Sequence, residues 1–459
     1  MKKDKILYVS YNIDTEGPLT ESIKASFQRI KESFGINLQP SKKNLEKIRN
    51  GKIKYKSNFL KKKLEDFVNS NRVTTLGSWE KIFNQIKILN TKNFNKSYID
   101  SFGKPLVFTW FILTHAGFTG SNPRKRDLGY NKVFKKYNFY LKKVFKNNLK
   151  NRNEFGWHFH AHSITNDAHR ASTTYLNSSH IYDVLSHYVL DVLWFPIIFR
   201  AGHNSLRQDL NYFLEEWIPF DFSNTSYKKK KKLDNISSSA RFGNWARASQ
   251  DWVPYNPDFY DYQKKGIMKR YVFRTLPINE REYKININDV YKGFKDANTY
   301  GKAMISVTNH DFRDIFSDIN YFYKLILKAK KKYPNIKFKF VSAKAGAKKI
   351  LNIENNTNKR IGLKAKLVKK GNQHRLFVKV KHNVFGTQPF LAIKTKENKY
   401  FWQNFDHESK LCWSYSFDPY NILLDKVKEI GIAASNKYGN TELIKIDITN
   451  NKITKKTIN

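Results

Sequence analysis

The sequence predicts an α/β domain built on a largely parallel sheet, followed by a small all-β sandwich. Three observations carry this expectation. Apolar runs of strand length alternate with amphipathic helical patterns as far as about residue 350. The polar residues with chemical potential sit just past the ends of those strands, where parallel α/β sheets place their ligands. Beyond about residue 355 the texture changes to short alternating segments separated by turns.

The elements follow in order. "KILYVSYNID" reads as a buried strand ending in an acid. Residues 20–100 are basic, Asn-rich and mostly helical in pattern, and "ESIKASFQRIKESFG" spaces Ile23, Phe27, Ile30 and Phe34 at helical intervals. This segment is an insertion between the first strand and the next, and is expected to shape the cleft. "KPLVFTWFIL" is continuous and apolar, as in a strand covered on both faces. "YNKVFKKYNFYLKKVFKNNL" repeats aromatics at helical spacing with lysines between them, an amphipathic helix. A short strand through "EFGWHFHAHS" follows, then a helix and the strand of "FPIIFRAGHNS". "RQDLNYFLEEW" is a helix; "IPFDFS", "RYVFRTLPI" and "KAMISVTNHD" are strands. "INYFYKLILKAKKKYPN" is a helix and "IKFKFVSA" the strand after it. "NIENNTNKR" reads as a linker, which divides the chain into residues 1–352 and 353–459. The second part holds "RLFVKVKH", "PFLAIKTK", "KYFWQNF" and "LCWSYSF", and closes on two strands joined through Gly439 and Asn440. Its aromatics Trp402, Trp413, Tyr415 and Phe417 are read as core, with sugar stacking as the alternative.

Composition narrows the function. The 84 Lys and Arg against 39 Asp and Glu give a formal charge of +45. The basic residues are spread along the chain rather than gathered in a stripe, so nucleic-acid binding is not the expected role. The run Lys228 to Lys232 reads as a solvated loop. A single cysteine, Cys412, excludes an intrachain disulfide and a CxxC zinc site. The chain has no signal-peptide pattern and no apolar stretch long enough to span a membrane, so a cytoplasmic location is expected.

Four strand exits carry the chemistry. "NIDTEGP" holds Asp14 and Glu16, two residues apart and pointing the same way if the strand continues. "EFGWHFHAHS" places His158, His160 and His162 on alternate positions, although the whole chain has only 12 histidines. Such density points to a metal, with nitrogens from His158 and His162 joined by one carboxylate oxygen and water in a zinc-like or cobalt-like set. His160 between them is a third ligand, a supporting donor or a wall of the cleft. "FRAGHNS" adds Arg200 and His203, and "VTNHDFRD" adds His310 and Asp311.

The order of these motifs resembles the NodB-type polysaccharide deacetylases over roughly residues 4 to 350. An acidic pair follows the first strand, then Glu-x-Gly-x-His-x-x-x-His, a strand ending in Arg, and an apolar strand closing on His. "WIPFDFSNTSY" and "YNPDFYDYQKKG" are similar to stretches of one branch of that superfamily. The resemblance implies an incomplete (β/α) barrel and a metal-dependent hydrolase that removes an N-acetyl group from an amino sugar of a surface polysaccharide or its precursor. It implies Glu16, His158 and His162 as ligands of a divalent metal, zinc first and cobalt as the alternative. Asp14 would be the general base, Arg200 the group that holds it, and His310 the acid that protonates the departing amine. His160, His203 and Tyr255 would face the substrate. Thr15 separates acids that are adjacent in the family, so base and ligand roles are exchangeable. The aspartate that tunes the acid histidine has no clear counterpart, with Asp221 and Asp251 as candidates. The C-terminal module resembles an immunoglobulin-like domain. The competing readings are a catalytically silent carbohydrate-binding protein on the same fold and a hydrolase of another C–N bond.

Overall fold

A computed structural model describes residues 5–18, 23–55, 57–69, 76–114, 132–144, 153–161, 175, 180–227, 243–278, 283–354, 360–371 and 373–458. His162, the run Lys228 to Lys232 and residues 355–359 of the expected linker lie outside these described residues.

The apolar runs of the first part become eight parallel strands. They are β1 (Ile6–Thr15), β2 (Phe108–Thr114), β3 (Asn153–Phe159), β4 (Ile198–Ala201), β5 (Phe220–Asn224), β6 (Tyr271–Pro277), β7 (Lys302–His310) and β8 (Lys337–Phe340). Between them run the helices α1 (Ile23–Phe34), α2 (Lys42–Arg49), α3 (Asn58–Asn69), α4 (Trp79–Leu89), α5 (Lys92–Ser97) and α6 (Lys132–Val144). The series continues with α7 (His180–Asp191), α8 (Gln208–Trp217), α9 (Ile287–Tyr300), α10 (Ile315–Lys332) and α11 (Ala343–Ile350).

The barrel is closed, which corrects the expectation of an incomplete one. β1 pairs with β7 from Ile6 to Asp14 on one edge, and with β2 from Tyr11 to Thr15 on the other. Seven strands thus form a continuous ring, while β8 pairs only with Ile6 to Val9 at the base of β1, below the point where β2 takes over. β1 and β2 meet across the whole of the 20–100 insertion, and no local pattern announces a pairing of that range.

Alternation along β1 divides its residues between two environments. Leu7, Val9, Tyr11 and Ile13 pack against the surrounding helices. Tyr8 points into the barrel with Phe111, Ile198, Phe220, Phe273 and Met304. Above it the interior turns polar: Ser10 donates to Asn12 at 2.8 Å, and Asn12 to Ser306 at 2.6 Å. Asp14 ends the series at the mouth. Apolar filling at the base and polar side chains above place the reactive groups at the C-terminal end of the ring. Ala343 and Ala347 of α11 close the base.

Helices α1, α2 and α3 bury a small core of their own (Phe27, Ile30, Leu45, Ile48, Leu64 and Val68). Helices α4 and α5 instead join the main core through Ile82, Ile86, Leu89 and Phe94.

The C-terminal part forms two antiparallel sheets. One contains β9 (Lys364–Lys370), β10 (Gln373–Lys379), β13 (Asp406–Ser409) and β14 (Cys412–Phe417). The other contains β11 (Phe390–Thr395), β12 (Tyr400–Gln403), β15 (Val427–Ser435), β16 (Thr441–Asp447) and β17 (Lys452–Ile458). The sheets share one apolar core that takes Leu376, Trp413, Tyr415 and Phe417 from the first and Leu391, Ile393, Ile432 and Ile444 from the second. The second sheet is apolar on its other face too. Phe390, Ala392, Ala433 and Leu443 pack into the core of the barrel part, and Trp402 stacks on Tyr182 of α7 with ring centroids 4.0 Å apart. Trp402, Trp413, Tyr415 and Phe417 are therefore engaged in packing.

Candidate metal and catalytic site

Four strand ends converge at the mouth. Asp14 and His310 are register partners on β1 and β7, and His158 and Arg200 are partners on β3 and β4. Glu16 follows β1 directly, and His160 follows β3 directly.

Glu16, His158 and His160 each bring one potential ligand atom into a group spanning no more than 4.8 Å, and all three are buried. The Nε2 atoms of His158 and His160 lie 3.0 Å apart, and His160 Nε2 lies 3.7 Å from Glu16 Oε1. Ligands at ordinary zinc distances around a tetrahedral ion are separated by about 3.3 Å. His158 Nδ1 donates to the Arg200 carbonyl at 2.8 Å, which leaves its Nε2 with the lone pair that a ligand needs. Two imidazole nitrogens and one carboxylate oxygen at this spacing fit a borderline-soft divalent ion. Expectation placed Glu16, His158 and His162 together; among the described residues the third donor is His160, while His162 falls outside them.

The local backbone explains why His160 is here. The Cβ of any residue at 202 would lie 2.5 Å from the His160 ring, so Gly202 is what lets the imidazole occupy its position. His203 and Asn204 follow with φ of 54° and 53°, a left-handed conformation that residues other than glycine adopt at a cost. That turn sets the His203 ring edge-to-face on His160, centroids 4.5 Å apart.

Asp14 is held rather than free. Arg200 Nε donates to both of its oxygens, at 3.1 and 2.9 Å, and Thr308 adds a bond at 3.3 Å. Arg200 is anchored in turn by the Asn204 side chain at 2.6 Å and the Phe222 carbonyl at 3.3 Å. Burial alone would raise the Asp14 carboxyl, but the Arg200 guanidinium holds it below the ordinary carboxylate range.

His310 Nε2 stands 3.6 Å from Glu16 Oε1. Burial pushes its imidazole down to about 3, against the opposing pull of Glu16, so the ring is neutral at neutral pH. Asp311 beside it is pushed up to about 7 by burial, although Tyr137 and the backbone of Gly17 donate to it.

The other expected residues lie elsewhere. Tyr255 is buried in the barrel part's core and its hydroxyl donates to the Tyr262 carbonyl at 2.9 Å. Both aspartates proposed to tune His310 face other cations. Asp221 is fully buried opposite Arg270 at 3.7 Å, and Asp251 takes the Lys292 ammonium at 2.7 Å. Among the described residues, the carboxylates acting on His310 are Glu16, 3.6 Å away, and Asp14, its register partner.

Sequence reasoning assigned no role to Thr308, Asn204, Tyr137 or Asp311. Asp311 was visible beside His310. Tyr137 was one aromatic among several on an amphipathic helix, with nothing to distinguish it.

No protein-family model matches the sequence, and no curated protein matches it. Among solved structures, the chain is similar to an endo-β-1,4-mannanase double mutant from Cellulomonas fimi. That match has 12% identity, covers 78% of this chain and 88% of that one, and has a TM-score of 0.26. A modular endo-β-1,4-mannanase of glycoside hydrolase family 26 from the same organism is similar at 11% identity, over 78% and 87% of the two chains, with a TM-score of 0.24. Nothing about the chemistry of this site follows from either. No helix among the described residues is long and apolar enough to cross a membrane.

Proposed function

We propose that the chain is a metal-dependent hydrolase of amide bonds, removing an N-acetyl group from an amino sugar in a polysaccharide or its precursor. The observation that carries the reading is the convergence of Glu16, His158 and His160 beside an Asp14–Arg200 pair and His310. The sugar as substrate rests on the order of the sequence motifs and their resemblance to NodB-type deacetylases.

Glu16, His158 and His160 would hold the ion, with His162 a further candidate. A bound divalent ion lowers the pKa of a coordinated water and polarises an amide carbonyl. The remaining work belongs to the side chains. Asp14 is ionised and oriented by Arg200, so it accepts the proton of the attacking water. His310 adjoins Asp14 in the β1–β7 register. It would pass to the departing nitrogen the proton that Asp14 accepts from the water. The balance is one water consumed, the C–N bond broken, and acetate and a free amine released.

The test combines metal analysis of the purified protein with acetate release from N-acetylated glycans. Wild type should carry about one zinc or cobalt ion per chain and release acetate, and His158→Ala and Asp14→Ala should each abolish release. Turnover that survives both substitutions, or a protein that takes up no divalent metal, refutes the reading.

A further inference from the structure

We propose that Asp311 is a positioning residue that aims Glu16 into the imidazole cluster, and that Tyr137 holds Asp311 in place. The inference rests on the reading of Glu16, His158 and His160 as metal ligands.

Glu16 lies one residue beyond β1, where the strand ladder no longer fixes the chain. Its N–H is shared between the Asp14 carbonyl, at 3.1 Å, and one side chain that also takes the N–H of the next residue. Asp311 Oδ1 accepts from the N–H of Glu16 at 2.9 Å and of Gly17 at 3.1 Å, and Oδ2 accepts from Gly17 again at 2.9 Å. The Asp311 N–H donates back to the Asp14 carbonyl at 3.2 Å. The exits of β1 and β7 are thereby fastened crosswise, with Glu16 in the fastened segment.

Asp311 is fully buried, and the hydroxyl of Tyr137, also fully buried, donates to its Oδ2 at 2.7 Å. The path of the chain is further dictated by Gly17. Its φ is 71°, and a Cβ there would meet the Trp79 ring at 2.9 Å. Gln85 completes the brace, donating to the Asp311 carbonyl at 3.3 Å and accepting from Ile315 N at 2.9 Å. Trp79 and Gln85 belong to α4, within the 20–100 insertion, and Tyr137 belongs to α6. The insertion therefore supports a ligand from behind, a role separate from shaping the cleft. Outer partners of this kind, when removed, typically reduce metal affinity by roughly 10- to 100-fold.

The test is zinc titration of metal-stripped full-length protein against a chromophoric chelator, for wild type, Asp311→Asn, Tyr137→Phe and each of these combined with Glu16→Ala. Tyr137→Phe removes one hydroxyl and keeps the ring among Trp79, Phe83 and Trp110. It carries the test if Asp311→Asn does not fold. Asp311→Asn should weaken zinc binding roughly tenfold or more and Tyr137→Phe severalfold. Neither should shift the residual affinity once Glu16 is alanine, because both act through Glu16. Folded variants that bind zinc as wild type does, or that lose the same factor with and without Glu16, overturn the inference and leave the metal site standing. A wild-type protein that binds no zinc overturns both.

Discussion

Replacing Arg200 with methionine tests the electrostatic core of the site. Arg200 and Asp14 each keep only 2% of their side-chain surface exposed, so water does not substitute for the lost partner. The substitution removes both bonds from Nε to the carboxylate and leaves the Asn204 side chain and the Phe222 carbonyl without their donors. Breaking a buried pair from one side costs about 3–5 kcal/mol, mostly the cost of an uncompensated buried charge. The pH dependence identifies that charge. In wild type the Asp14 carboxyl lies below its ordinary value, so its contribution to stability is present above about pH 4 and lost as pH falls through the folded value. In Arg200→Met burial acts unopposed by the guanidinium and raises the carboxyl. The folded variant then binds a proton that the unfolded chain has released, and its stability falls as pH rises from about 4. Guanidinium unfolding at pH 4.5 and 7.5 should show the larger deficit at the higher pH, and Asp14→Asn combined with Arg200→Met should recover a substantial part of it. An equal deficit at both pH values, with no recovery in the double variant, would refute the argument.

Two further outcomes follow from the same geometry. His310 titrates near 3 in the folded protein against an ordinary 6.5, so the unfolded chain binds the extra proton between those values and stability falls as pH drops. His310→Gln should therefore lose less in Tm between pH 7 and pH 5 than wild type, since the opposing contribution of Asp311 is common to both; identical slopes would count against a neutral buried His310. Gly202→Ala places a methyl group 2.5 Å from the His160 ring and must displace it, so zinc affinity should fall roughly tenfold, and unchanged affinity would remove His160 from the ligand set.

Much of the barrel was legible because each strand is a local property. The apolar runs at Ile6–Thr15, Phe108–Thr114 and Lys302–His310 are buried on both faces and show it in composition. Closure was not legible, because it depends on β1 exchanging β8 for β2 halfway along one edge, a contact between segments about a hundred residues apart. At the site, the dense histidines and the paired acids lie at strand exits that the fold brings together. Sequence spacing favoured His158 with His162; the backbone turn at Gly202 and His203 brings His160 into the cluster, and nothing in the spacing reports a turn contributed by another strand. Asp221 and Asp251 looked available as acids near strand ends, yet Arg270 and Lys292 occupy them. Tyr255 sits in an aromatic-rich loop, which reads equally as cleft wall or core until the chain is folded.

The sheet of β11, β12, β15, β16 and β17 belongs to two interiors at once. Leu391 and Ile393 face the sandwich while Phe390 and Ala392 face α7 and α8, and Gly431 admits Val189 and Leu190 where any methyl group would collide. A module attached in this way is not a detachable cassette. Cutting the gene ahead of β9 would strip a greasy flank from the barrel half and invite clumping, so evolution could exchange this appendage only by redesigning the helices beneath it.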